Sequence, residues 1–420
     1  MAFCPYRVCP IGAHSDHQLG KITGLAIDRG IHLAYKPKHN GVIELCSLQF
    51  DKRAQWHIHG VPEVRQNDWA DYLRGATLEL GMRHPLSVGL SGVIQGTLPI
   101  GGLSSSAAVT LVYLSALCCV NGIRLTDLEM IEMAVAVENR YVGVSSGKLD
   151  QSCELFSRKD HLLYLDTLDD HYELIPTHPA MKPYAIAIFF SGVERTLAGS
   201  KFNMRVDECR SAAYALKAFA GMEYGKFGET HLREVPVEVF REYRHRLPEN
   251  WAKRAEHWYT EFARVEQGAE AWRRGDLDTF GRLSFESGHS SIYNYETGSP
   301  ELKTLYDIMT HTDGIYGAAS QAPVSRDAAW PSSTPPTARA SGARWKNSTC
   351  APSPSSGANT STSSATAPTA LSSKENSNEV SYSCGRLCHP ALSPDRKLPQ
   401  ATPQGAGQDH PGLARRRHRR

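Results

Sequence analysis

Residues 99–120, PIGGLSSSAAVTLVYLSALCCV, constrain the fold more than any other stretch of this chain. The part from 107 to 120 is apolar nearly all round, so a helix formed there has no face to offer water and must lie buried between other elements. A glycine and serine loop feeds directly into its first turn. Backbone N–H groups at such a helix start, with the helix dipole behind them, favour an anion, and three serine hydroxyls add donors. The loop lacks the Gly-Lys-Ser/Thr of the common nucleotide loop; a serine-rich cap on an ordinary helix is the plainer alternative. A buried helix needs a core around it. With 420 residues, 41% of them hydrophobic, the chain can bury more than one core, and two domains are expected.

Other elements follow from periodicity. Residues 22–35 and 42–50 alternate apolar with polar and are rich in Ile, Val and Leu, as half-buried strands are. A second helix is expected over 126–140, opened by a Thr126-x-x-Glu129 capping box. The short apolar run 184–191 reads as a central strand, and 205–310 as mostly helical. After Ala318 the composition changes to the Ser/Thr/Pro/Ala bias of a chain that cannot bury a core, and the last residues form a basic tip. The formal charge is only +2, with both signs mixed along most of the chain, so no nucleic-acid footprint is indicated. No apolar run reaches the ~18 to 20 residues that span a bilayer, and no signal segment opens the chain, so no membrane partner is expected. The ten cysteines are scattered, with Cys118 and Cys119 adjacent. Together these features predict a soluble, cytoplasmic protein with reduced thiols.

Two more segments carry chemistry. The opening stretch CPYRVCPIGAHSDHQLG (4–20) sets Arg7, His14 and Asp16 among turn-forming residues; alone it reads as a loop entering a strand. VENRYVGVSSGKLDQS (137–152) places Glu138 near a helix end and Asp150 beyond a Gly143 to Gly147 loop. A phosphoryl-transfer site needs one acid to hold Mg²⁺ against the phosphates and another beside the acceptor hydroxyl. Either acid alone would more often be a surface charge or a cap, but the order loop, helix, acid, glycine loop, acid suits the two roles.

The opening stretch, GGLSSSAA, GKLDQ and SGVERTLAGSKFNMRVDECRSAA (191–213), taken together, resemble the GHMP family of small-molecule kinases and its galactokinase branch, over residues 4 to 318. The resemblance implies an α+β, two-domain GHMP-kinase fold. Its N-terminal domain would cover 1–180 and a ferredoxin-like C-terminal domain, incomplete here, 181–318; a disordered low-complexity tail would occupy 319–420. It implies ATP and Mg²⁺ as cofactors. Asp150 would face the sugar C1 hydroxyl as base or electrostatic anchor, and Arg7 would steady it. Gly101, Gly102, Leu103, Ser104, Ser105, Ser106 and Ala107 would wrap the ATP phosphates, with Ser106 and Glu138 as magnesium ligands. His14, Asp16 and Gly147 would bind the sugar, and Phe202 stands where galactokinases carry a tyrosine.

Galactokinases have a glutamate before the His-x-Asp, facing the sugar's 6-hydroxyl, and this chain has Ala13. Against a C6 carboxylate ~4 Å away, a glutamate would cost ~1 kcal/mol in water and ~4 kcal/mol at an effective dielectric of about 20. Alanine therefore suits a uronic acid, and the segment resembles plant galacturonokinases. Lys148 departs from the apolar residue usual there and either pairs with the uronate or faces solvent. The expected activity is phosphorylation of D-galacturonate at C1. Galactokinase proper and a catalytically silent, ligand-sensing relative are the alternatives.

The tail itself reads as a shifted frame. In the family, the Gly-x-Tyr-Gly-Ala of residues 314–318 runs on into Arg-Phe-Ser-Gly-Ala-Gly-Phe-x-Gly-Cys-Cys, a glycine loop near the phosphates. Residues 319–323, written GCT TCT CAG GCG CCG, yield Phe-Ser-Gly-Ala in the frame that begins at each third base. Residues 324–330, written GTT TCT CGG GAT GCT GCG TGG, continue it as Gly-Phe-Ser-Gly-Cys-Cys-Val. One lost base would account for the whole tail. Sequencing the transcript across codons 316 to 332 is expected to return a shifted frame that encodes this loop; a shifted frame without it would overturn the reading.

Overall fold

The computed structural model describes residues 1–98, 102–190 and 201–319, together with the backbone of strand 362–365. Its organising element is the strand over Lys21–Lys38 (β2), expected from the alternation that begins at Ile22. At 18 residues it is long enough to serve three neighbours. Its start pairs with His161–Asp166 (β6), its middle with Ala2–Val8 (β1) and its end with Gly89–Gly96 (β5), all antiparallel. Beyond β5 lie Val42–Ser47 (β3), parallel to it, and Lys52–His57 (β4); beyond β6 lies Tyr172–Pro176 (β7). The order is β4-β3-β5-β2-β6-β7, with β1 added on β2.

The opening stretch is thus not simply a loop entering a strand, because Ala2–Val8 is itself a strand. It reaches β2 closely: at Gly30, opposite Pro5, a Cβ would lie 2.1 Å from the Cys4 carbonyl oxygen. Only glycine admits that approach. The register shifts between Pro5 and Arg7, just before the arginine that the resemblance places beside Asp150.

The apolar helix forms as expected, over Ser105–Asn121 (α2), with its buried residues on every side. It packs against β1, β2 and Asp71–Arg83 (α1). Its one buried phenol, on Tyr113, shares a 2.7 Å hydrogen bond with the Thr77 hydroxyl of α1, so no polar group is stranded there. The capping box also forms: Thr126 accepts from the Glu129 N–H, and Glu129 accepts from the Thr126 N–H, at the head of Asp127–Ala136 (α3). The helix does not continue regularly to residue 140. It widens into a π-helical turn, Val137–Val142, and Leu149–Phe156 (α4) follows.

The C-terminal half is helical as expected: Phe202–Phe219 (α5), Val237–Tyr243 (α6), Glu249–Arg273 (α7), Leu277–Tyr293 (α8) and Pro300–Thr310 (α9). Two apolar clusters hold the described residues together. The larger joins the sheet and the first helices to Val265, Ala269 and Trp272 of α7; the smaller contains Cys209 and Leu216 of α5, Trp258 of α7, and Tyr295. At 25 residues, α7 is long enough to enter both. The region between its two apolar ends borders the candidate site.

Among the described residues, the run expected as a central strand, 184–190, is not one. Ile186–Phe189 (β8) pairs with Thr362–Ala365 (β9) in a separate two-stranded sheet. Ile186 and Ile188 rest on the larger cluster while Ala187 and Phe189 are exposed, the alternation of a half-covered strand rather than a core one. A short apolar run by itself does not tell which neighbours will cover it. Residues 320–361 and 366–420, where the sequence predicts disorder, lie outside the described residues.

Candidate active site

The site is built where β1, the head of α2 and the head of α4 converge. Arg7, near the end of β1 and 4% exposed, donates from Nε and Nη2 to Asp150 Oδ1 at 2.9 and 2.6 Å. Its Nη1 donates to the Gly102 carbonyl at 3.2 Å. One guanidinium thus links the acid in the first turn of α4 to the loop before α2. Burial alone would lower the Arg7 pKa, but the Asp150 charge and hydrogen bonds outweigh it and hold the group above its ordinary range.

That loop ends in unusual backbone. Gly102 (φ +64°) and Ser104 (φ +62°) are both left-handed, and Ser104 is the N-cap of α2 without a side-chain cap bond. Its Oγ is buried and has no hydrogen-bond partner among the described residues. Leu103 and Ala107 are buried, while Ser105 and Ser106 are half-buried in the first turn. Backbone N–H groups at the start of α2 are therefore left for an anion. Gly101 lies outside the described residues.

Glu138 sits in the π-helical turn, 3% exposed. Its Oε2 accepts from the Ser146 hydroxyl, and its Oε1 is buried with no hydrogen-bond partner among the described residues. Burial first, and then the Asp150 charge, push its pKa up to about 7, against the lowering effect of nearby Ser146 and Ser106. A buried carboxylate with an idle oxygen, flanked by a hydroxyl and a second acid, suits a divalent cation, whose charge would favour the ionised form. Among the described residues, no cluster of three or more His, Cys, Asp or Glu is arranged to hold a metal. Any cation here would have to draw on serine and phosphate oxygens as well.

On the other side of Asp150, Asp16 Oδ2 accepts from the Leu149 N–H at 3.0 Å. Desolvation raises the Asp16 pKa to about 6, with Asp150 adding to the effect and the Leu149 bond opposing it. Gly147 makes this approach possible, since a Cβ there would lie 2.3 Å from Asp16 Oδ2. His14, left-handed at φ +63°, is buried beside Asp16, its ring stacked on Tyr295 at 4.7 Å. Burial, then the neighbouring His257 and His17, hold its pKa well below the ordinary value, so the ring is neutral at pH 7. Ala13 is buried, and its carbonyl accepts from His257 Nε2 at 2.9 Å. Phe202, at the start of α5, meets the His17 ring edge-on. Lys148 is bound to Asp170 at 2.5 Å, which argues against its pairing with a substrate.

Residues 71–158 match the family described as GHMP kinases N terminal domain. A galacturonokinase from Arabidopsis thaliana is 36% identical over 75% of this chain and 78% of its own length. A galactokinase from Roseiflexus is 33% identical over the same shares. The solved galactokinase of Lactococcus lactis, complexed with galactose, superposes with a TM-score of 0.68 at 27% identity, over 75% of this chain and 80% of that one.

The chain belongs to the GHMP kinase family. Its mixed α/β architecture is the GHMP-kinase fold, and kinases of this family use ATP. Membership turns attention to residues that sequence reasoning missed. Glu261 of α7, fully buried, accepts from the Gly12 N–H at 2.6 Å and from the Ser287 hydroxyl. It fixes the turn at Gly12 (φ +110°) that aims Ala13 and His14. His257, one turn earlier on α7, holds the Ala13 carbonyl. Tyr295 closes over His14 and hydrogen-bonds His17 Nε2 at 2.8 Å. No local pattern marks these residues; Glu261 looks like one charge among many on a long helix. Among the described residues of this kinase, no helix is long and apolar enough to cross a membrane.

Proposed function

We propose that this GHMP kinase transfers the γ-phosphoryl group of ATP to the C1 hydroxyl of D-galacturonate. The observation that carries the reading is Arg7, which binds both Asp150 and the Gly102 carbonyl and so sets the acid at a fixed position relative to the phosphate loop. Phosphoryl transfer asks mainly for such placement, with charge stabilisation at the reacting oxygens. In this reading Asp150 accepts or orients the C1 proton, and the two hydrogen bonds from buried Arg7 hold its carboxylate in place. The start of α2 and its serines hold the phosphates. Asp16, aimed by the Leu149 N–H and the bare Cα of Gly147, takes sugar hydroxyls together with His14.

Ser106 and Glu138 are the residues that would hold Mg²⁺, which when bound would offset charge on the phosphates. A readout other than activity tests this. A carboxyl whose folded-state pKa is raised from 4.5 to about 7 adds stability below its unfolded value, and that advantage is lost as pH rises through about 7. Mg²⁺ added together with ADP is therefore expected to raise the melting temperature beyond ADP alone, and more so at pH 8, where Glu138 is ionised, than at pH 6, where it is mostly protonated. Glu138→Gln should remove the difference. An equal shift at both pH values, or one that persists in the variant, would exclude Glu138 as the ligand.

Galacturonate is preferred to galactose because buried Ala13, beside His14, leaves no carboxylate to repel a charged C6, and because a galacturonokinase is among the relatives. A coupled ADP-release assay with galacturonate, glucuronate and galactose in parallel decides it. Turnover of galactose alone would make the chain a galactokinase, and turnover of none would favour a silent relative. The proposed setting is the cytoplasm, and the proposed organisation is the domain division at residue 180 given above.

A further inference from the structure

We propose that Arg205 is the group that seats the substrate's carboxylate, and so sets specificity for an acidic over a neutral sugar; this rests on the galacturonate reading above. Arg205 lies on α5, one turn after Phe202, and is 5% exposed. Its Nη2 donates to the Glu296 carbonyl at 2.5 Å. Its Nε and Nη1 are buried and have no hydrogen-bond partner among the described residues. Two carboxylates whose charges reach it are already engaged elsewhere: Glu208 accepts from Arg254 Nε and Asn250 at 2.7 Å each, and Glu296 Oε2 accepts from Arg254 Nη2 at 2.8 Å. Among the described residues Arg205 has no ion pair of its own. A buried guanidinium with two idle donors is costly unless an anion arrives.

The neighbourhood says which anion. Glu296, whose carbonyl holds Arg205, follows Tyr295, and Tyr295 is stacked on His14, the residue next to Ala13. The Arg205 charge reaches His14 and helps keep its imidazole neutral, and His14 Nε2 is itself buried and idle. Idle nitrogens on Arg205 and on His14 are therefore linked, through Glu296 and Tyr295, to the turn that carries Ala13. A hydroxymethyl group would offer them one oxygen and no charge. A carboxylate offers two oxygens and the missing counter-charge. The phosphates, by contrast, belong at the head of α2 beside Gly102.

The test compares galacturonate, its neutral C6 amide and galactose in the full-length protein and in Arg205→Gln. The variant is expected to raise KM for galacturonate about 10- to 150-fold, the span of a lost charged hydrogen bond. The kcat should stay near its starting value, and KM for the amide and for galactose should move less than about threefold. An equal rise for all three sugars would overturn the assignment. Absence of galacturonate turnover in the unmutated protein would instead remove the substrate reading on which it rests. Should Arg205→Gln not fold, a crystal structure of the unmutated protein with galacturonate decides: a carboxylate within hydrogen-bond distance of Arg205 supports the assignment, and one seated against other groups overturns it.

Discussion

Replacing Asp150 with asparagine is expected to lower turnover by about three to four orders of magnitude while leaving ATP affinity within about threefold. Asparagine keeps an oxygen that can accept from Arg7, so the shape of the site survives. It removes the charge and the ability to take a proton. The same change leaves the Arg7 guanidinium buried without its counter-ion. Asp150 is partly open to solvent, its side chain 26% exposed, so water offsets some of that loss. A stability decrease of about 1 to 3 kcal/mol is expected, visible as a lower melting temperature. Single-turnover kinetics with calorimetric ATP binding separate the two effects. A variant that retains more than about a tenth of the turnover would exclude Asp150 as the proton-handling or charge-anchoring group.

Ala13→Glu is expected to reduce kcat/KM for galacturonate by about two to three orders of magnitude and to spare galactose by comparison. The magnitude follows from two like charges ~4 Å apart at an effective dielectric of about 20, ~4 kcal/mol before any rearrangement. Ala13 is 4% exposed, and a larger side chain also strains its surroundings, since its carbonyl is tied to His257 and the preceding turn to Glu261. Ala13→Gln separates the causes, because it has the bulk of glutamate without the charge. The charge argument requires Ala13→Gln to treat both sugars alike and Ala13→Glu to discriminate against the acid. If the two variants lose activity equally on both sugars, Ala13 does not face C6.

Features that depend on neighbours in sequence were legible before the structure. The burial of α2 follows from its lack of a polar face. The capping box at Thr126 and Glu129 is a contact between residues three apart, so composition and spacing suffice to predict it. The glycine and serine loop announced a helix start able to receive an anion, and Gly102 and Ser104 do adopt left-handed backbone before an uncapped helix. Glu138 and Asp150 were legible as a pair of acids flanking a glycine loop.

Other features depend on which distant segments meet, and periodicity carries no information about that. Arg7 and Asp150 are 143 residues apart, and nothing local marks the first seven residues as a strand whose end reaches α4. The run 184–191 has the apolar content of a core strand, but its neighbours leave it half-covered. Gly12 and Glu261 are 249 residues apart. Only when α7 extends from one apolar cluster to the other does a charge on its flank become the buried acceptor that holds the turn before Ala13. The sequence by itself determined the local pattern: a glycine and serine loop open to an anion at a helix start and two acids at workable spacing, while the resemblance to galactokinases marked the absent acid at position 13. Tertiary structure alone decided that Arg7 binds Asp150 and the Gly102 carbonyl together, and that Arg205 is buried with its charge felt at His14. Hydrogen bonds and ion pairs between remote segments form only once burial of the apolar faces has brought those segments together.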